Sequence, residues 1–332
     1  MSVVCLAEDL RDGSRWAVKF LPPALRDDGW RAECLRREYR LARGFSHPSL
    51  VRLRDLVRQD DQDFLILEAV DGTGLREILE ERRLSLSEAI ETGKAVAGAL
   101  HYIHESDRRN WLVHGDVKPE NVLIRRGEGP IVAPRAVLID FGTMTVAART
   151  IGGAGWIRRV AWNLFGGKRL VGCSSLYVSP EQATGKDLDP RADVYSLGAV
   201  LYELFAGRPP FLTDAEEHAY VGRGAAVPER PRFLHRHLDR ELLHKHVTLA
   251  PAPPSRWNPD LPPDLSRLVM RCLAKPPEER FPDMLSLLME LTQMKVDADG
   301  TFRNARRTTG RTSALHERPA VVLRVVSGPQ QG

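Results

Sequence analysis

The sequence predicts an α+β chain, arranged either as one two-lobed domain or as two domains, and three observations lead there. Its 332 residues exceed what one hydrophobic core usually organises. Short β-branched runs joined by polar, Gly-containing turns fill the first 70 residues. Longer stretches with apolar residues at helical spacing dominate the remainder of the chain. With 42% hydrophobic and 28% charged residues the chain reads as an ordinary soluble globular protein rather than a disordered or membrane-embedded one. A net charge of +4 gives no reason to expect a nucleic-acid partner. Cys5, Cys34, Cys173 and Cys272 are isolated and lack Cys-x-x-Cys spacing, which suits free, mostly buried thiols in a reducing cytoplasm. The longest apolar stretch, 195–207, is broken by Ser196 and Glu203 and is too short to cross a bilayer, so it reads as a buried helix. No signal peptide follows Met1, and an anchor beyond either end of the chain stays open.

Taken in order, runs 2–7 and 15–21 flank the polar turn 9–14, the pattern of a β-hairpin. Stretch 27–45 is rich in Arg, Glu, Leu and Ala without an internal Pro and reads as a helix closed by Gly44. Residues 64–68 form a buried strand. Stretch 84–105 repeats Ala89, Val96, Leu100 and Ile103 at helical spacing and opens with Ser87, so it predicts a long core helix. His101 and His104 near its end suit packing or a dipole interaction better than a metal. Two polar loops come next, each between β-branched runs, which would hold chemical groups on a rigid base. In the first, Asp116 can accept a hydroxyl proton, Lys118 can neutralise phosphate charge, and Asn121 offers Mg²⁺ a neutral oxygen. In the second, Asp140 offers the same ion a hard carboxylate. Separately these signals are weak, because an Asp-Phe-Gly occurs by chance and a His-Gly-Asp is usually a turn.

Together and in this order, Val113-His114-Gly115-Asp116-Val117-Lys118-Pro119-Glu120-Asn121-Val122-Leu123-Ile124 and Asp140-Phe141-Gly142 closely resemble the catalytic loop and metal-binding motif of the eukaryotic-type protein kinases. The resemblance covers roughly 1–295 and implies a bilobal fold, with a small antiparallel β lobe and one helix in 1–70 and a larger, mainly helical lobe in 71–295. It implies ATP and Mg²⁺ as cofactors. Trp16-Ala17-Val18-Lys19 is similar to the family's Val-Ala-Ile-Lys strand, which implies that Lys19 binds the α- and β-phosphates. Glu38 stands nine residues before His47-Pro48, the family's usual distance, and would pair with Lys19, whereas Glu33 does not keep that spacing. The strand 64–68 and Ala69-Val70-Asp71-Gly72 look like the hinge, with Leu67 as gatekeeper and main-chain groups of Glu68 and Val70 holding adenine.

The chain also departs from the pattern. Val4-Cys5-Leu6-Ala7 matches the strand that comes after the family's Gly-rich loop, Ser2 falls where its third Gly would stand, and Met1 is expected to be an internal methionine of a longer frame. Gly115 replaces the Arg that pairs with a phosphorylated activation segment, implying activation without that ion pair. A His-Gly-Asp also occurs in aminoglycoside kinases, but Lys118-Pro119-Glu120 and a long activation segment ending in Tyr177-Val178-Ser179-Pro180-Glu181 favour protein substrates. From 141 to 180 that segment has no acidic residue, yet it carries Arg149, Arg158, Arg159, Lys168 and Arg169 among Trp156, Trp162 and Phe165. These either pack on their own lobe or dock an acidic partner, a membrane surface or nucleic acid. Ser174 matches the Thr of Ser/Thr-specific members.

In the last third, Asp193 would cap the catalytic-loop backbone, and Arg280 would pair with Glu181. Residues 219–245 read as an insertion with a short helix, and 251–263 as a Pro-rich connector running over the surface. A zinc reading of His235, His237, His244 and His246 is disfavoured by missing cysteines and flanking arginines. A helix over 285–294 ends this part, and a basic linker, 296–318, carries Thr308, Thr309, Thr312 and Ser313 as autophosphorylation candidates. Residues 319–332 look like the opening strand of a forkhead-associated domain. The sequence is thus read as an ATP- and Mg²⁺-dependent protein Ser/Thr kinase of the bacterial, eukaryotic-like kind. The alternatives are a docking module without turnover and a small-molecule phosphotransferase.

Overall fold

Asp9, Asp12 and Gly13 turn the chain back on itself. The Asp9 N–H donates to the Ser14 carbonyl at 2.8 Å, Asp12 Oδ1 accepts from the Ser14 N–H at 2.9 Å, and Gly13 takes a left-handed φ of 70° that a side chain would resist. The expected hairpin forms, with β1 (Val3–Glu8) antiparallel to β2 (Arg15–Phe20) and Val4 opposite Lys19. A computed structural model describes residues 2–127, 135–148, 175–221, 239–297 and 301–304. Helix α1 (Gly29–Ala42) is capped by Asp28, whose side chain accepts from the Arg31 N–H at 3.1 Å. It is shorter than the 27–45 stretch, because the chain leaves the helix before Gly44 and sends Phe45 inward against Tyr102. Strands β3 (Leu53–Gln59) and β4 (Gln62–Glu68) complete a sheet ordered β1-β2-β4-β3, with α1 against β3 and β4. This is the small lobe.

The larger lobe begins with β5 (Gly72–Gly74), α2 (Leu75–Glu81) and α3 (Leu86–Glu105). Ser85, rather than Ser87, caps α3: its hydroxyl accepts from the Glu88 N–H, and Glu88 accepts from the Ser85 N–H at 2.8 Å. The reason is spacing, since only Ser85 has an acid three residues on. Four short strands carry the polar loops: β6 (Asn110–Val113), β7 (Val122–Arg125), β8 (Ala136–Leu138) and β9 (Thr145–Ala148), paired as β5-β7-β8 and β6-β9. Then come α4 (Pro180–Ala183) and α5 (Arg191–Ala206), the latter buried on all sides and stopped by Gly207 at φ 79°. Helices α6 (Asp214–Val221), α7 (Arg240–Thr248), α8 (Pro263–Cys272) and α9 (Met284–Gln293) follow; α8 and α9 pack on α5, and α7 meets it through His246 and Tyr195. Packing here is tight: a Cβ on Gly93 of α3 would fall 2.7 Å from a Leu201 methyl of α5.

Several expectations change. The 251–263 connector does not simply run over the surface, because Pro251 and Pro254 are buried and the Ala252 carbonyl accepts from the Tyr202 hydroxyl at 2.8 Å. Trp257 and Asn258 add hydrogen bonds to Tyr202 and to the Phe205 carbonyl, both at 2.9 Å. The stretch 219–245 starts within α6 and ends within α7, so it is bounded by packed helices. Its His235 and His237 lie outside the described residues, whereas His246 is a buried ring hydrogen-bonded through Nδ1 to the Tyr195 hydroxyl at 2.9 Å. Order also passes residue 295: β10 (Met294–Val296) pairs with β11 (Phe302–Asn304), and Phe302 packs on the core. Of the described cysteines only Cys272 is buried; Cys5 is exposed and Cys34 intermediate. The basic aromatic residues of 149–174, with Cys173 and Ser174, lie outside the described residues, as does 305–332 with Thr308, Thr309, Thr312 and Ser313. No described helix is long and apolar enough to cross a membrane.

Candidate active site

Strand β2 aims Lys19 at α1, where Glu38 faces inward. The ammonium stands 2.9 and 2.8 Å from the two Glu38 oxygens and 2.6 Å from Asp140 Oδ1, so one buried cation meets two carboxylates. Burial works against the Lys19 charge, but Glu38 and Asp140 outweigh it and raise its pKa. Burial also pushes Asp140 up; the Lys19 ammonium and the Gly142 N–H reverse this and hold it at about 2. Asp140 sits at φ 67°, a left-handed conformation that costs a non-Gly residue about 1–3 kcal/mol and that these hydrogen bonds fix. Next to it the Phe141 N–H donates to Glu38 Oε1 at 3.2 Å, and its ring lies edge-on to Phe45 at 5.7 Å and to His114 at 6.1 Å. The two lobes are thereby joined at the second motif.

Asp116 Oδ2 accepts from Lys118 Nζ at 2.6 Å and from Asn121 Nδ2 at 3.1 Å, and Asn121 Nδ2 also reaches the Asp116 carbonyl at 2.7 Å. Burial raises the Asp116 pKa against the pull of Lys118. The Ile139 N–H donates to the Asn121 carbonyl at 2.8 Å, which sets the second motif beside the first. Consistent with that, the charge of Asp140 acts on both Asp116 and Lys118. Across the cleft, Leu67 is buried opposite Ala17 of β2. Glu68 commits its carboxylate to Arg125 at 2.7 Å and its N–H to the Arg52 carbonyl at 2.8 Å, while Val70 lies just past β4 and belongs to no described strand ladder. All eight residues singled out from the sequence are therefore described, and the first and second motifs meet.

Asp193, fully buried at the start of α5, accepts from the His114 and Gly115 N–H groups at 2.8 and 2.9 Å and from His104 Nε2 at 2.8 Å. Burial alone would raise its pKa, but these partners, His104 first, hold it below the usual carboxylate range. His104, expected to pack or to meet the helix dipole, instead hydrogen-bonds Asp193, a partner that only the fold brings to it. Sequence reasoning missed three further groups outright. Thr143 Oγ1 donates to the His114 carbonyl at 3.0 Å, and Gln182 Nε2 donates to the Gly115 carbonyl at 2.7 Å. Arg76 of α2 reaches Glu120 at 2.9 Å and Glu203 at 2.7 Å, and also contacts the Tyr177 hydroxyl. The Ser179-x-x-Gln182 spacing does signal a helix cap, but nothing in it points to Gly115. The expected pairing of Arg280 with Glu181 is bidentate, at 2.7 and 2.9 Å, and Arg280 spends further donors on the carbonyls of Ala274, Arg191 and Lys275.

The sequence model of the protein kinase domain matches residues 1–293. The chain belongs to the protein kinase family. Among its relatives, serine/threonine-protein kinase PknB of Mycobacterium tuberculosis is 32% identical over 324 residues, covering 95% of this chain and 45% of that protein. The PknB of Mycolicibacterium smegmatis is 30% identical over 318 residues, covering 93% of this chain and 44% of that protein. The kinase domain thus spans less than half the length of these curated relatives. The solved PknI kinase domain of Mycobacterium tuberculosis superposes with a TM-score of 0.57 at 26% identity, covering 88% of this chain and 90% of that one. The bilobal α+β architecture is that of this kinase domain family.

Proposed function

We propose that this chain transfers the γ-phosphate of ATP to Ser or Thr hydroxyls of proteins. The observation that carries the reading is the convergence of Lys19, Glu38 and Asp140 beside the Asp116–Lys118–Asn121 cluster in one interlobe cleft. In this reading Lys19, held by Glu38, neutralises the α- and β-phosphates, and main-chain groups of Glu68 and Val70 hold adenine. Asp116 acts as acceptor for the incoming hydroxyl's proton, and its raised proton affinity suits that task better than a fully solvated carboxylate would. Lys118, bonded to Asp116, supplies positive charge where the phosphoryl group passes.

The residues fit Mg²⁺. Asn121 spends its amide nitrogen on Asp116, which turns its oxygen to other use, and Asp140 spends Oδ1 on Lys19 and Gly142, leaving Oδ2. These are two hard oxygens, and the Asp140 side chain is 44% exposed. When bound, Mg²⁺ would neutralise phosphate charge. Transfer of labelled phosphate from ATP to a generic protein tests the proposal. Asp140→Ala is expected to abolish it, while Asp116→Asn abolishes transfer but spares ATP binding; labelling undiminished by either change would refute the assignment.

A further inference from the structure

The position before Asp116 is Gly115, at φ 77°, and a Cβ there would meet the Thr143 carbonyl oxygen at 3.4 Å and Gln182 Nε2 at 3.6 Å. Those are ordinary contact distances, so it is the left-handed backbone conformation that disfavours a side chain here. What holds the loop instead is neutral on one side. The two N–H groups of His114 and Gly115 go to Asp193, and their two carbonyls go to Thr143 and Gln182. Gln182 uses both ends of its amide: Oε1 accepts from the Ser179 N–H at 3.1 Å, completing the α4 cap, so Nε2 is the end turned to Gly115. That bond ties α4 to the residue adjoining Asp116.

We infer that Gln182, assisted by Thr143, is a positioning residue for Asp116: an uncharged clamp on the two carbonyls before it keeps the proton acceptor in place. The inference rests on the phosphotransfer reading, yet the clamp itself is a feature of the loop whether or not transfer occurs. Gln182→Glu separates the two duties of the side chain. A glutamate at this position keeps the cap, being the usual acid of a capping box, but when ionised it cannot donate to the Gly115 carbonyl and sets a charge against it.

The experiment compares the full chain with Gln182→Glu and Gln182→Met. Three readouts are needed: melting temperature, kcat and KM for ATP across pH, and hydrogen exchange of the peptide spanning 112–118. Gln182→Glu should melt with the parent and keep its KM for ATP, lose about tenfold in kcat at neutral pH, and exchange faster at His114 and Gly115. Its deficit should shrink as the pH falls and the introduced carboxyl regains a proton to donate. Gln182→Met, which lacks the donor at every pH, should show a deficit independent of pH. A folded Gln182→Glu whose exchange at 112–118 equals the parent's overturns the clamp. Absent transfer by the parent, with exchange still faster in the variant, would instead count against phosphotransfer and leave the clamp standing. Faster exchange with kcat within twofold of the parent overturns the positioning role.

Discussion

Two buried ionic clusters in this molecule use the same groups to opposite ends. Glu181–Arg280 is balanced, one charge against one, and Arg280 fills its remaining donors with three main-chain carbonyls at 2.8–2.9 Å. Nothing about it invites another partner. Lys19–Glu38–Asp140 carries one positive and two negative charges, and its outermost carboxylate is 44% exposed. A cluster of that kind is stable only with its cleft open to ions or water, so the imbalance marks where a ligand belongs and the balance marks a scaffold joint. The difference between them is stoichiometry and access, not residue type.

The comparison can be broken by removing one partner from each cluster. Asp140→Ala should cost at least about a thousandfold in phosphate transfer while costing less stability than the Arg280 change, since Lys19 keeps Glu38 as its partner; transfer rates and a thermal melt decide this. Arg280→Ala leaves Glu181 buried without its cation and should cost about 3–5 kcal/mol in urea unfolding. Should the two substitutions affect stability alike, the distinction between site and joint fails.

Acidity sharpens it further. Because burial raises the Asp116 pKa, the ionised acceptor is lost at a pH above that of an ordinary aspartate, so kcat should fall on the acid side earlier than solvated-aspartate behaviour gives. Asp140, held at about 2, stays ionised throughout that range and should not contribute to the limb. A kcat profile that stays flat down to the solvated-aspartate range would contradict the raised value. The smallest effect is a neutral control remote from both clusters. Ser85→Ala should cost about 1 kcal/mol through the lost cap, and Ser87→Ala within about 0.5 kcal/mol, as measured by denaturant titration.

Motif order made the cleft legible. Asp116, Lys118, Asn121 and Asp140 are legible from residue type and spacing within two polar loops, whereas Lys19 and Glu38 follow from the resemblance to the protein kinases that those loops carry. Element ends were less legible: α1 stops before Gly44 because Phe45 gains more from packing on Tyr102 than from continuing the helix. The α3 cap fell to Ser85 because reciprocal capping needs Glu88. Thr143 and Gln182 carried no signal, since their partners are carbonyls, and every residue has one.

By itself the sequence determined the α+β class, the order of the elements and the residue types gathered at the cleft, because local propensity, turn chemistry and motif spacing are properties of neighbours along the chain. Only the tertiary structure decided which carbonyls of the catalytic loop are capped and by whom, that the Pro-rich connector packs on α5, and that Asp140 rather than Glu38 faces the open cleft. Those outcomes depend on groups far apart in sequence competing for the same few donors, acceptors and volumes, and that competition is settled when the lobes close on each other.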